Sequence, residues 1–511
     1  MLRRAAVTAL AAVALPMCAV APAQAAPKAG DDEAGQPPNV VVVMTDDQDF
    51  RSMWAMPQTR KLIKRQGTTF DQNIVNYPLC CPSRATYYTG EYGHNHGVKW
   101  NNYPYGGYYL YDGSEALPVW MERAGYETIH IGKYLNEYGE RDPYEVPPGW
   151  SQWWGGVDPS TYGYFNYTLN HNGELVQFGS DPDDYSTDVQ ADIAVSEIRK
   201  AVDGDKPFYL NIAPTAPHTV AVETSARQEG TPAVPAPRDA DVFADAALPR
   251  YPNFNEADIS DKPAVEAFFP QQMNDQQISE LQDHYRGRMG SLLAVDDLVA
   301  KVKGELRKQG IARNTVIVYT SDNGWILGEH RLRDPISQTG AASGVKFVPY
   351  EGSSRVPMMI SGPGFPKGKV VRAVTSNADL ASTILDIAGA TEQATLPQDG
   401  ISLRKVANRP KDFQDRAVLI ETFDNPRGVP PYASIRTRRY RYDVDANGRA
   451  NMFDLKRDPW ELQSIDSDPR YADIAAKLKA ELEVLRRCSG ADCRGASVRV
   501  PPPYGPPFVP R

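Results

Sequence analysis

The sequence predicts an α/β protein, a doubly wound and mostly parallel sheet with a smaller α+β unit near its C-terminal end. Three observations carry that expectation. Continuous β-branched runs recur along the chain and end in polar residues, as buried parallel strands do. Helical periodicity occupies the stretches between them. Past Ser434 the pattern changes to short runs joined by a DANG turn.

Taken in order, the first 25 residues read as a secretory signal. Arg3 and Arg4 open it, an apolar run follows, and Ala23-Gln24-Ala25 has the A-x-A form of a cleavage site. The run is too short to span a bilayer. This reading predicts a secreted, extracellular protein with no membrane span. Residues 26–38 are polar and Pro/Gly-rich, a flexible leader.

The strand candidates follow within residues 39–412, taken as the main domain. NVVVVMTDDQD ends in Asp46 and Asp47, ETIHIGKY in Lys133, FYLNIAPTAPH in His218, and TVIVYTSDNG in Asp322 and Asn323. VPMMISGPG is a fifth run. Ile278, Leu281, Tyr285, Leu292, Val295, Val299, Val302 and Leu306 recur at helical spacing, with Gly310 as the stop. Two insertions interrupt the pattern: 138–186 is rich in Tyr, Trp and Gly, and 222–249, with TPAVPAPR, reads as an exposed loop. Residues 413–494 form the α+β unit, with SIRTRRYRYDV, DANG and RANMFDL as a hairpin and YADIAAKLKAELEVLRR as an amphipathic helix. The segment 495–511 is a proline-rich tail. In doubly wound sheets ligands bind beyond the carboxyl ends of the strands, which is where the polar tips fall.

A net charge of −9 and the lack of a basic tract argue against nucleic acid as a partner. Of five cysteines, Cys18 would leave with the signal. Cys488 and Cys493, in CSGADC, can close a short loop as a disulfide. Cys80 and Cys81 are adjacent, and a vicinal disulfide is strained, so pairing explains them poorly.

Adjacent carboxylates at a strand end repel unless a cation or protons offset them. Asp46, Asp47, Asp322 and Asn323 offer oxygen ligands of the kind that suit Ca²⁺ or Mg²⁺ rather than zinc. Taken singly, each pair reads as a cap or turn. Arg84, Lys133, His218 and Lys346 read singly as surface or ion-paired residues, and together as a pocket for an anionic ester. With a divalent ion, Asp46, Asp47 and Asp322 set against Arg84, Lys133 and Lys346 leave the cluster at +2 before His218 is counted. That sign favours a sulfate or phosphate ester.

The stretch CCPSRATYYTG, from Cys80, resembles the sulfatase signature C-x-P-S-R-x-x-x-x-T-G. The resemblance extends from about Asn39 to Cys493 and implies an alkaline-phosphatase-like fold. It implies that a formylglycine-generating enzyme oxidises Cys80 to Cα-formylglycine. Asp46, Asp47, Asp322 and Asn323 match the family's calcium ligands, completed by the residue at 80. Arg84 matches the arginine that steadies that residue, and Lys133 and His218 match sulfate-binding and acid positions. Lys346, Tyr350, Glu351, Arg355 and Pro357 match a K-x-x-x-Y-E-x-x-x-R-x-P element. Many arylsulfatases carry a histidine where GKYLNEYG has Leu135, so a second catalytic histidine is in doubt.

GKYLNEYG, VPPGWSQWWGG, GHNHGV and CSGADC resemble N-acetylglucosamine-6-sulfatases and the endosulfatases of heparan sulfate. The implied chemistry is attack on sulfur by one hydroxyl of the aldehyde hydrate, with His218 protonating the leaving alcohol. The second hydroxyl then permits release of sulfate. A sulfated saccharide is the expected substrate, with Asn101, Asn102, Asn136 and Glu137 as hydroxyl partners. The aromatics of 100–111 and 150–154 serve as stacking faces or as ordinary packing. His94 and His96 read equally as substrate lining or as a local turn. Two other readings keep the scaffold, namely a phosphonate or phosphate ester hydrolase and a non-catalytic carbohydrate-binding protein.

Overall fold

β1 (Asn39–Thr45) is buried along its whole length. Val40, Val42 and Met44 face one apolar core, and Val41 and Val43 face another. Alternate residues of a strand point to opposite faces, so a run of valines needs cover on both sides. The computed structural model, which describes residues 36–220, 231–263, 271–334 and 342–500, supplies that cover. The signal and most of the leader and tail lie outside those residues.

β2 (Thr68–Ile74), β3 (Glu127–Gly132), β4 (Gln152–Gly156), β5 (Thr168–His171), β6 (Glu174–Gln177), β7 (Phe208–Ala213), β8 (Thr315–Ser321), β9 (Arg355–Val356), β10 (Met358–Ser361) and β11 (Lys369–Ser376) join β1 in one sheet. Its order is β11-β2-β10-β8-β1-β7-β3-β4-β5-β6, with β9 on β2. The central neighbours β8, β1, β7 and β3 run parallel. One face carries the helix Asp275–Lys308, capped at Asn274 by a reciprocal bond pair with Gln277. The other carries the helices Cys80–Thr89, Leu117–Arg123 and Asp379–Ala388. The sheet is therefore doubly wound, as the sequence implies.

Several expectations need correcting. The VPMMISGPG run becomes β10, which lies antiparallel to both β8 and β2. Among the described residues between β8 and β9, the short helix Glu351–Ser354 is the only helix before the chain returns. A parallel strand would need a full crossover. The insertion 138–186 extends the sheet through β4, β5 and β6. The missed signal is Asn172-Gly173, both at positive φ (50° and 94°), between two short strands.

In the second insertion, Ala233 and Ala236 are buried rather than exposed. They pack where the long helix carries Gly287 and Gly290. A Cβ at Gly287 would come within 2.2 Å of the Ala233 carbonyl oxygen. β2 and β11 lack an uninterrupted apolar run and escape a reading based on such runs.

Beyond them β12 (Ala417–Glu421), β13 (Tyr432–Thr437), β14 (Tyr440–Asp445) and β15 (Ala450–Asp454) form an antiparallel sheet. The SIRTRRYRYDV run is two strands rather than one, reversing at Arg438-Arg439 with no glycine or proline to announce it. The helix Ala472–Leu485 seals this sheet with Ile474, Leu478, Leu482 and Leu485. Val418, Ile420 and Tyr432 also share a core with Ile74 and Val374 of the large sheet. The described residues between 37 and 500 cluster as one compact unit. No helix among the described residues is long and apolar enough to cross a membrane.

Candidate active site

Four adjacent parallel strands end at one place. β8 delivers Asp322 and Asn323, β1 delivers Asp46 and Asp47, the turn after β7 delivers His218, and β3 delivers Lys133. Thr45 and Ser321 are register partners, so the two acidic tips lie side by side. Asp47 takes φ +66°, a left-handed conformation that Asp tolerates better than most residues. It is pinned there, since its N–H donates to Asp322 Oδ1 at 3.1 Å and its carbonyl accepts from Arg288.

Cys80 starts the helix Cys80–Thr89, every residue of which is buried. The signature residues around it have mechanical roles. The Ser83 hydroxyl donates to the Asp322 carbonyl, and Asn377 Nδ2 donates to that hydroxyl at 3.0 Å. Arg84 Nε donates to Asp322 Oδ2 at 2.8 Å, and its Nη1 donates to the Lys133 carbonyl at 2.8 Å. Thr89 Oγ1 donates to the Ala85 carbonyl, and Gly90 ends the helix at φ +73°, where glycine carries no steric cost. Thus Cys-x-Pro-Ser-Arg seats residue 80 against the β1 and β8 tips.

Cys80 Sγ lies 3.2 Å from Asp46 Oδ1 and 2.8 Å from Lys346 Nζ. Lys133 Nζ pairs with Asp46 Oδ2, and Lys346 Nζ with Asp47 Oδ1 at 2.6 Å. His218 Nε2 stands 3.5 Å from Asp47 Oδ2. Ligand atoms of Asp46, Asp47, Cys80 and His218 all fall within 4.8 Å of one another. Asp46, Asp47, Cys80 and Asn323 are fully enclosed. Asp47 Oδ2 and Asn323 Oδ1 have no hydrogen-bond partner. Buried oxygens without donors are costly, and a hard cation beside these carboxylates would satisfy both.

Burial is the largest influence on Asp46 and opposes its charge. Lys133, His218, Arg84 and Lys346 outweigh it and hold the carboxyl well below the usual range. Asp322 goes the other way, raised to about 6 by burial and by Asp46 against Arg84 and Lys133. Burial lowers His218, opposed by Asp46 and Asp47. It pushes the Cys80 thiol up, aided by Asp46.

The structure thus brings Asp46, Asp47, Cys80, Arg84, Lys133, His218, Asp322, Asn323 and Lys346 into one cluster. The remaining residues of the Lys346 element go elsewhere, with Glu351 paired to Arg436 of the C-terminal sheet and Arg355 paired to Glu351 and Asp71. The sugar-contact candidates hold local structure. Asn101 Oδ1 accepts from Cys81 N–H at 3.0 Å, and Asn136 Nδ2 donates to the Tyr162 hydroxyl at 2.5 Å. The Glu137 carboxylate accepts the Tyr103 N–H, and the Asn102 carbonyl accepts from Gly106 N–H at 2.9 Å.

Trp150 and Trp153 are core residues stacked on Tyr209 and His130, so packing claims them. Leu135 is likewise in the core. His96 bonds Thr86 and the Val98 N–H locally, whereas His94 bonds Glu421 and the Cys488 carbonyl across the fold, so both rings hold structure but only His96 does so as a local turn. Cys488 and Cys493 form a disulfide, as expected.

Sequence reasoning missed Tyr162, Arg288 and Trp325. The Tyr162 ring lies 4.6 Å from Lys133 Nζ and 4.9 Å from the His218 ring. Arg288 bridges the Pro217 and Asp47 carbonyls. Trp325 had a signal, since it follows Asn323-Gly324 directly. The other two come from distant segments and had none.

Comparison with known proteins agrees with this geometry. Residues 38–390 match the sulfatase family, and residues 345–488 match the C-terminal region described for N-sulphoglucosamine sulphohydrolase. An arylsulfatase of Volvox carteri is 34% identical, covering 90% of this chain and 76% of its own. The human N-acetylglucosamine-6-sulfatase is 32% identical, covering 90% and 86%. A solved structure in complex with its substrate D-glucosamine-2-N,6-O-disulfate superposes with a TM-score of 0.70 at 24% identity, covering 88% and 97%. The chain belongs to the sulfatase family and is a sulfuric ester hydrolase.

Proposed function

We propose that this is a secreted sulfatase that hydrolyses the 6-O-sulfate of N-acetylglucosamine, free or within a glycosaminoglycan. On this reading Cys80 is converted to formylglycine by a formylglycine-generating enzyme, and the site holds Ca²⁺, with Mg²⁺ as the alternative. The observation that carries it is the pair of orphaned buried oxygens, Asp47 Oδ2 and Asn323 Oδ1, beside Cys80 and ringed by cations. Asp46, Asp47, Asp322, Asn323 and the oxygen at position 80 would hold the ion. The hydrated aldehyde would supply an oxygen nucleophile with a second hydroxyl for sulfate release, and the ion would supply Lewis acidity.

The chain's own residues divide the remaining work. Lys133 and Lys346 present positive charge to the sulfate oxygens, where stabilisation of developing charge is the largest kind of catalytic contribution. Arg84 fixes residue 80 by holding Asp322 and the Lys133 carbonyl at once. His218 Nδ1 faces the Thr219 carbonyl at 2.6 Å. A carbonyl only accepts, so Nδ1 carries a proton and Nε2 is the titrating nitrogen. Nε2 faces the cluster and would protonate the leaving alcohol. Asn101, Asn102, Asn136 and Glu137 are proposed to meet the sugar beside Tyr162 and Cys81. Of seven histidines only His218 joins the ligand cluster among the described residues, which favours an oxygen-bound hard cation over a transition metal.

The test is sulfate release from N-acetylglucosamine-6-sulfate by the parent and by Cys80→Ala, with intact mass of the peptide holding residue 80. Release by the parent alone, with the mass of an aldehyde, supports the reading. Equal release by both proteins, or an unmodified thiol in fully active enzyme, sinks it.

A further inference from the structure

The turn after β7 carries His218, and its main chain is held at four consecutive carbonyls. The Ala216 carbonyl accepts from the Asp46 N–H at 3.4 Å, and the Pro217 carbonyl accepts from Arg288 Nη1 at 3.0 Å. The His218 carbonyl accepts from the Tyr164 hydroxyl at 2.7 Å, and the Thr219 carbonyl from the His218 ring at 2.6 Å. Two of these bonds tie the turn to the tip of β1. The one from Asp46 is long for an N–H donor and correspondingly weak. Arg288 supplies the other, because its Nη2 also donates to the Asp47 carbonyl.

The side chains themselves do not fix this spacing. His218 Nε2 stands 3.5 Å from Asp47 Oδ2, and that oxygen accepts no hydrogen bond. The distance from the acid to the acidic tip is set by the main chain. Arg288 is suited to setting it. It projects from the helix Asp275–Lys308 and is 1% exposed. A planar guanidinium presents its N–H groups in fixed directions, and bonds from an ionised donor are about twice as strong as neutral ones. Its root cannot slide. A Cβ at Gly287 would come within 2.2 Å of the Ala233 carbonyl oxygen, and one at Gly290 within 2.6 Å of Pro235 Cγ. The guanidinium carbon also lies 5.6 Å from the centre of the Trp325 ring, just past Asn323 and Gly324. One side chain of the long helix thus meets the chain beyond β1, β7 and β8.

We propose that Arg288 is a positioning residue for sulfate ester hydrolysis, a clamp that sets His218 against the Asp47 tip. It touches no reacting atom. The inference rests on His218 as the acid in the reading above. Misplacement of such a group by about 1 Å costs on the order of 10²-fold in rate.

The experiment is a double-mutant cycle on the matured full chain. Arg288→Met, His218→Ala and the double variant are assayed on N-acetylglucosamine-6-sulfate and on phenyl sulfate, and circular dichroism checks each fold. Arg288→Met should lower kcat on the sugar ester about 10²-fold and change KM less than about threefold. In the His218→Ala background the same substitution should cost less than about threefold, because a residue that acts through another loses its effect with it. The loss should be smaller on phenyl sulfate, whose leaving group needs less protonation. Arg288→Lys keeps the charge without the fork and should still lose about tenfold. A purely structural Arg288 would cost the same in both backgrounds. That result, or parental kcat in a folded Arg288→Met or Arg288→Lys, overturns the clamp alone. Where Arg288→Met fails to fold, Arg288→Lys takes its place in the cycle. Parental kcat in His218→Ala overturns the acid and the clamp with it. A parent active on phenyl sulfate but not on the sugar ester overturns the substrate reading, and the cycle on phenyl sulfate then decides the clamp.

Discussion

Two buried charge clusters in this molecule have the same formal composition and opposite characters. At the strand tips, Asp46, Asp47 and Asp322 face Arg84, Lys133 and Lys346. Under the C-terminal sheet, Glu351, Asp443 and Glu461 face Arg355, Arg436 and Arg441. In the second cluster every carboxylate has a guanidinium partner, and the atom left over is a donor, Arg441 Nη2, rather than an acceptor. Glu351 accepts from Arg436 Nε at 2.9 Å and from Arg355 Nη1 at 3.1 Å, while Arg441 takes Glu461 and Asp443. In the first, cations crowd Asp46, and two acceptor oxygens have no donor. A matched network orders an interface. An unmatched one is organised for something that binds.

The comparison makes the variants predictable, the largest effect first. Lys133→Met should lower kcat/KM for sulfate esters by about 10³-fold, the scale of losing one transition-state charge donor. Its unfolding midpoint should move little, because Arg84 and Lys346 both still offset the Asp46 charge, whereas Glu351 would keep a single cation. Arg436→Met should do the reverse. It strands Glu351 beside its remaining partner Arg355 and should cost about 3–5 kcal/mol in urea unfolding, the range for breaking a buried pair. Its kcat at low temperature should stay near the parent value. If both variants lose stability equally, the contrast between the clusters fails.

Removal of divalent ions sharpens the same contrast. Chelator followed by added Ca²⁺ at 100 times its Kd should raise parent stability by about 2.7 kcal/mol. Asp47→Asn should show a much smaller rise, and Arg436→Met an undiminished one. A Ca²⁺ response unaltered in Asp47→Asn would locate the ion elsewhere.

The smallest effect is on pH dependence. Burial is the largest influence on Glu351, but Arg436 and Arg355 overcome it and bring the carboxyl to about 2. A depressed carboxyl stabilises the fold above its unfolded value and loses that contribution as pH falls toward the folded one. Parent stability should therefore decline between about pH 4.5 and 2. Glu351→Gln should decline less steeply over the same window in urea midpoints. An identical slope in both would remove Glu351 from the account.

Parts of this molecule were settled by local sequence. The valine run of β1 demands burial on both faces, and the long helix carries its own capping pair and a terminal glycine. Asp46, Asp47, Asp322 and Asn323 were legible because strand period and polar tips are local properties. The Cys80 signature was legible because a tight contact with two strand tips leaves little freedom in residue type. Long-range register was not legible. Nothing local says that β10 runs backwards, that Arg438-Arg439 turns a chain, or that Trp150 and Trp153 are needed for the core rather than for a sugar. Nor does any local pattern assign Lys346 to one charge cluster and Glu351, five residues later, to the other. Which charges stay unmatched depends on what the fold brings within a few ångströms, and in a low-dielectric interior that proximity decides the energy. Sequence therefore determined which chemical groups are present, and tertiary structure alone decided which of them are satisfied.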